Sequence, residues 1–136
     1  MSRFSARTRA PRVPAHPYRA ALEARDAEAL AATLHPDVVF HAPAFEKPLR
    51  GRDAVLRLFG VLASVFEDPE ITDELTGEGS HAITFRLTVD GFPIEGVDYL
   101  QLGEDGRVRS ITVSMRPLES LQVLAGRVAE TYASLL

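Results

Sequence analysis

Cysteine is absent from the 136 residues, so disulfides, thiolate nucleophiles, iron–sulfur clusters and cysteine-bound zinc are closed to this chain. No apolar run approaches the roughly 18 residues that a membrane-spanning helix needs. No secretory h-region is legible either, and a cytoplasmic protein is the expectation. Phosphate and metal motifs are missing too: there is no GxGxxG, P-loop, HExxH or calcium-loop pattern. His35 and His41 lie six apart across a proline turn, which matches no compact metal-ligand spacing. Ser64, Ser80, Ser110 and Ser114 lack the context of a nucleophile elbow. Neither metal nor cofactor is expected.

Acids are missing from one place only. Residues 1–17 hold Arg3, Arg7, Arg9 and Arg12 with no acid, which leaves eleven basic against nineteen acidic residues for the remainder. So acidic a folded part is a poor match for phosphate backbones, and no nucleic-acid partner is expected. The start, rich in arginine and proline and without apolar periodicity, reads as a flexible arm over residues 1–17. A single domain follows over residues 18–136, long enough for one core and too short for two.

What is present is a change of hydrophobic period. From Tyr18 to Leu34, Ala21, Leu22, Ala29, Leu30 and Leu34 fall near helical spacing, with Arg25-Asp26 as a polar break. His35-Pro36-Asp37 stops the helix, because proline disfavours helical backbone in the residue before it, and "VVFHAP" reads as a strand. Val55, Leu58, Phe59, Leu62 and Phe66 mark the next helix, started by Gly51 or Asp53. After Pro69 the period falls to two: an edge strand, then "HAITFRLTV", "FPIEGVDYLQL" and "GRVRSITVSM", joined by the turn sequences "DGF" and "GEDG". Leu121, Leu124, Val128 and Tyr132 are spaced for a last helix. Helices, strand, helix, then strands point to an α+β fold, with a pocket at the mouth of a curled sheet.

Three stretches together resemble the NTF2-like superfamily, particularly its SnoaL-like and ketosteroid-isomerase-like branches: "Y…ARDAEALAATLHPDVVF", "PLRGRDAVLRLF" and "GVDYLQLGEDGRVRSITVSMRPL". The resemblance implies a cone-shaped, curved antiparallel (mixed) β-sheet wrapped around N-terminal helices, the NTF2-like or cystatin-like α+β barrel. It further implies an apolar cavity and often a homodimer, here through the outer sheet face. The fold carries cofactor-independent isomerases, cyclases, dehydratases and epoxide hydrolases, as well as binders without turnover.

In isomerase-like members a tyrosine early in the first helix and an acid in the penultimate strand donate hydrogen bonds to a substrate oxygen. Tyr18 and Asp98 match these positions. The ketosteroid isomerase precedent is a carboxylic acid kept protonated by its apolar site. Period-2 alternation places Asp98 on one face with Gly96, Leu100 and Leu102, facing an apolar interior. The alternative partner is a backbone amide or a surface arginine such as Arg116. Where isomerases keep their general base, an aspartate before the proline closing the first strand, this chain has Ala42. Leu34 and Phe59 stand where two supporting tyrosines are often found. Other candidates for acid–base work are His41, which strand parity turns away from the cavity if Phe40 and Ala42 face it, and His81, which shares a face with Ile83, Phe85, Leu87 and Val89. The expected cavity wall combines Phe40 and Ala42 on the first strand with Leu58, Phe59 and Leu62 on the helix after it. The sheet adds Ile83, Phe85, Val113 and Met115. The expected ligand is a small hydrophobic or polycyclic molecule, either isomerised, cyclised or dehydrated on Tyr18 and Asp98, or bound without turnover.

Overall fold

A computed structural model describes residues 15–135, without the side chains of 133–135. Two short helices come first, α1 (Pro17–Ala24) and α2 (Ala27–Thr33). Proline at the first helical position suits α1, since its missing N–H would have no intrahelical partner. Arg25 ends α1 in the left-handed region at φ 54°, and Asp26 then caps α2 by accepting from the Ala29 amide. The polar Arg25-Asp26 pair is thus a break between two helices. The expected arm falls mostly on residues 1–14, which lie outside the described residues. At residues 15–17 the expectation is corrected: His16 is buried and Pro17 is helical. A histidine ring can cap a helix as well as float in solvent, and composition alone does not tell these apart.

Strand β1 (Leu34–His41) follows directly, then β2 (Leu49–Arg50) and α3 (Arg52–Val65), whose cap is Gly51. Val55, Leu58, Val61 and Val65 form the buried stripe of α3. Four long strands come next, β3 (Glu67–Gly77), β4 (Ser80–Val89), β5 (Phe92–Leu102) and β6 (Val108–Arg116), and α4 (Leu118–Leu135) closes the chain. The six strands make one mixed sheet in the order β2-β1-β6-β5-β4-β3, with β1 and β6 parallel and the other pairs antiparallel. The fold is α+β, as read.

Local chemistry sets the register. Asp90 and Gly91, at φ 50° and 80°, make the two-residue turn between β4 and β5 that favours positive φ at both positions. The edge strand begins before Pro69 rather than after it. Its pairing with β4 shifts between Glu67 and Glu70, which accommodates a residue that has no N–H to give the ladder. In the main core, Tyr18, Leu34, Val38, Val55, Leu100 and Ile111 are almost wholly buried. A second cluster of Val65, Leu87, Val89, Ile94 and Leu124 packs α4 and the end of α3 on the sheet. No described helix is long and apolar enough to cross a membrane.

Candidate functional site

Between the concave face of the sheet and the helices lies a cavity of about 730 Å³. Phe40 of β1, Ala42 just after it, and Leu58, Phe59 and Leu62 of α3 line it, with Phe85, Val113 and Met115 from the sheet. Ile83 is not on this wall. It is 1% exposed and packed inside the core, directly opposite Asp98 on the neighbouring strand. The largest contribution that the sequence reading did not assign to the wall comes from α4, with Leu121, Leu124, Ala125, Val128, Ala129 and Tyr132. Their helical spacing was legible, but which hollow a helix covers depends on where the chain returns, and spacing carries no such information.

Two polar groups stand deep in this wall. Tyr18 sits in the first turn of α1, where the His16 ring accepts from its amide, and its ring meets Phe59 edge-on at 6.4 Å. Phe59 in turn meets Phe40 edge-on at 5.6 Å. Tyr18 is 1% exposed, and the edge-to-face run from Phe40 through Phe59 fixes its ring in position. Asp98 lies on β5 between Ile83 of β4 and Val113 of β6. It is half-buried and lines the cavity, so its accessible surface opens into the hollow.

The two side chains are close enough to act on each other's ionisation. Burial raises the Asp98 carboxyl from 3.8 to about 7, against the opposing effect of the Tyr18 hydrogen bond. Burial also raises the Tyr18 phenol well above its ordinary range, reinforced by the charge of Asp98 and by their hydrogen bond. The phenol therefore keeps its proton near neutrality, and the carboxyl holds its own far more tightly than an exposed aspartate does. Arg116 does not neutralise Asp98; it pairs with Glu95 at 3.3 Å on the surface.

The histidines lie elsewhere. His41 does not line the cavity, and its strand neighbours Phe40 and Ala42 do, as alternation requires. His81 is buried on the inner sheet face but beyond the cavity wall, where its Nδ1 donates to Glu74 Oε2 at 2.9 Å. The same oxygen accepts from the His16 amide at 3.0 Å, while Arg19 stands 3.6 Å from Glu74 Oε1. The His16 ring accepts from the Tyr18 amide at Nδ1 and donates from Nε2 to the Gly106 carbonyl at 2.8 Å, the tautomer these partners demand. His81 thus belongs to a clasp that pins the start of α1 to the sheet. No group of three potential metal ligands occurs among the described residues.

The remaining polar side chains on the wall are Tyr132 and three cations, Arg25, Lys47 and Arg57. Burial raises the Tyr132 phenol while Arg57 pulls it down, so the α3 guanidinium acts on the α4 ring.

Comparison with known proteins agrees with this architecture. A curated steroid Δ-isomerase of Nocardioides simplex is 28% identical over 93 residues, covering 65% of this chain and 76% of that one. The crystal structure of a steroid delta-isomerase from Pseudomonas aeruginosa matches with a TM-score of 0.82 and 29% identity, over 87% of this chain and 88% of the other. A Silicibacter pomeroyi protein with a cystatin-like fold matches with a TM-score of 0.79 and 27% identity, over 85% of each chain. The cystatin-like or NTF2-like fold is thereby shown. Residues 15–111 match the SnoaL-like domain model, and the chain belongs to that family.

Proposed function

We propose that this protein receives a small hydrophobic, preferably polycyclic, carbonyl compound in the cavity and polarises its carbonyl for cofactor-free isomerisation, cyclisation or dehydration. The observation that carries the reading is the Tyr18–Asp98 pair, two groups whose proton affinity is raised by burial in the apolar part of the wall. A ligand oxygen takes a hydrogen bond from each. Fixed in place on an apolar stretch of wall, such donors stabilise the negative charge that an enolate places on that oxygen. The likeness to steroid Δ-isomerases at 28% and 29% identity supports a ring-system ligand.

Proton removal is the step for which the chain offers least. Ala42 stands where the resemblance places a base, and Asp98 is the only carboxyl on the wall among the described residues. With Asp98 engaged as a donor, the proton acceptor is a group of the substrate or a water molecule. That feature favours a second reading, binding without turnover.

Calorimetric titration with estradiol, whose phenol imitates an enol, tests the first reading. Tyr18→Phe is expected to bind at least about tenfold more weakly than the wild type; equal affinity overturns it. Native mass spectrometry that finds a hydrophobic molecule co-purifying, released unchanged after long incubation, favours the second.

A further inference from the structure

The charges on the cavity wall are arranged unevenly. Asp98 is deep, while Arg25, Lys47 and Arg57 are all exposed and come from three separate elements: the end of α1, the loop between β1 and β2, and α3. None of the three side chains has an ion-pair or hydrogen-bond partner among the described residues. The other described arginines at comparable exposure often do, as with Arg86 on Glu70 and Arg107 on Asp105. In a chain with four more acids than bases, the cavity wall itself reverses the sign, with three cations against the single acid Asp98, while Asp26, Glu46 and Asp53 near them in the chain do not line it. Converging cations in a half-enclosed apolar hollow focus a positive potential on its entrance.

Helix α1 gives the distance scale. Tyr18, Leu22 and Arg25 all line the cavity, spaced i, i+4 and i+7 along one face. At 1.5 Å per residue, Arg25 lies about 10 Å further along the axis than Tyr18. The wall between them is apolar.

We propose that the ligand is an amphipathic anion: a rigid apolar body with an oxygen for Tyr18 and Asp98 at one end and a carboxylate, about 10 Å or more away, received by Arg57, Lys47 and Arg25 at the mouth. This rests on the cavity reading above and narrows its substrate class. The cations select and orient the molecule. They draw in the charged end last, so that the carbonyl enters first and reaches the dyad.

The test compares 3-oxo-4-androstene-17β-carboxylate with its neutral methyl ester, which shares the ring body and the carbonyl. Calorimetry on the full chain is expected to show the carboxylate binding about tenfold more tightly than the ester. That preference is expected to shrink in 0.5 M salt and to fall to about twofold in the double variant Lys47→Gln, Arg57→Gln. The ratio of affinities is the readout, and circular dichroism checks that the variant is folded. Equal affinity of both compounds in the wild type overturns the anion proposal and leaves the cavity reading standing. So does a preference that survives the double substitution. Binding of neither compound overturns both.

Discussion

Glu74 and Asp98 are carboxyls on the same sheet, and their surroundings differ completely. Glu74 is sunk among donors: the His81 ring at 2.9 Å, the His16 amide at 3.0 Å and the Arg19 guanidinium at 3.6 Å. Asp98 has the Tyr18 phenol and, around it, Ile83, Val113 and the hollow. A buried carboxyl given positive and N–H partners is tied to structure, because each partner loses its own satisfaction if the acid goes. A buried carboxyl left with one neutral donor keeps its proton affinity high and its capacity partly unused. The first arrangement anchors a helix. The second leaves hydrogen-bonding capacity for something that arrives from outside.

If the cavity lacks only a proton acceptor, supplying one is expected to have the largest effect. Ala42→Asp is expected to raise the rate of conversion of a β,γ-unsaturated ketosteroid to its conjugated isomer by about 10²-fold or more, followed by enone absorbance. An unchanged rate would mean that Tyr18 and Asp98 are not placed for this chemistry.

Replacing either acid separates the two regions by sign. Asp98 has a native value of about 7 against 3.8 for the model carboxyl, so the folded state binds the proton more tightly. Its stabilising contribution is complete below pH about 4 and is lost as the pH rises through 7. Asp98→Asn is therefore expected to gain on the wild type by about 3 kcal/mol between pH 5 and pH 8 in urea unfolding. A parallel pH dependence of the two proteins would place Asp98 among ordinary surface acids. Glu74→Ala is expected to do the opposite, costing about 3 kcal/mol and loosening the start of α1, because His81 and the His16 amide lose their acceptor and Arg19 its counter-charge. A melting temperature within a degree of the wild type would dissolve the contrast.

The smallest expected effect is at Gly96. A Cβ there would collide with the Phe85 ring and approach the Ser114 carbonyl to 2.8 Å. Gly96→Ala is expected to cost about 1–2 kcal/mol and to displace Phe85, a cavity-lining ring, so that ligand affinity drops along with stability. Loss of stability with affinity intact would separate the ring from the binding wall.

Much of the fold was legible, since each period is a direct image of burial: the stripe Val55, Leu58 and Phe59 for α3, and the alternation through Ile83, Phe85 and Leu87 for β4. The Asp98 environment was legible for the same reason, through its same-face neighbour Leu100, which is fully buried. The clasp was not. His16 lies in a proline- and arginine-rich stretch, and Glu74 and Gly106 meet it across 58 and 90 residues of chain. No local pattern encodes such a meeting. His81 illustrates the difference: parity put it on the inner face, where it is, but parity gives no position along the sheet, and that position separates it from the cavity.

The parallel pairing of β1 with β6 has a consequence for how the chain acquires this architecture. Phe40 lies beside Ile111, and Leu34 beside Val108, so the sheet is closed by its first long strand meeting its last. Hairpins β3–β4 and β4–β5 are local and can form early. The hollow itself has no floor until β6 has been synthesised and docked. Such non-local closure carries the entropy of a long loop and slows folding relative to the hairpins. On the ribosome, the strands that will line the cavity wait with their apolar side uncovered until the final quarter of the chain arrives.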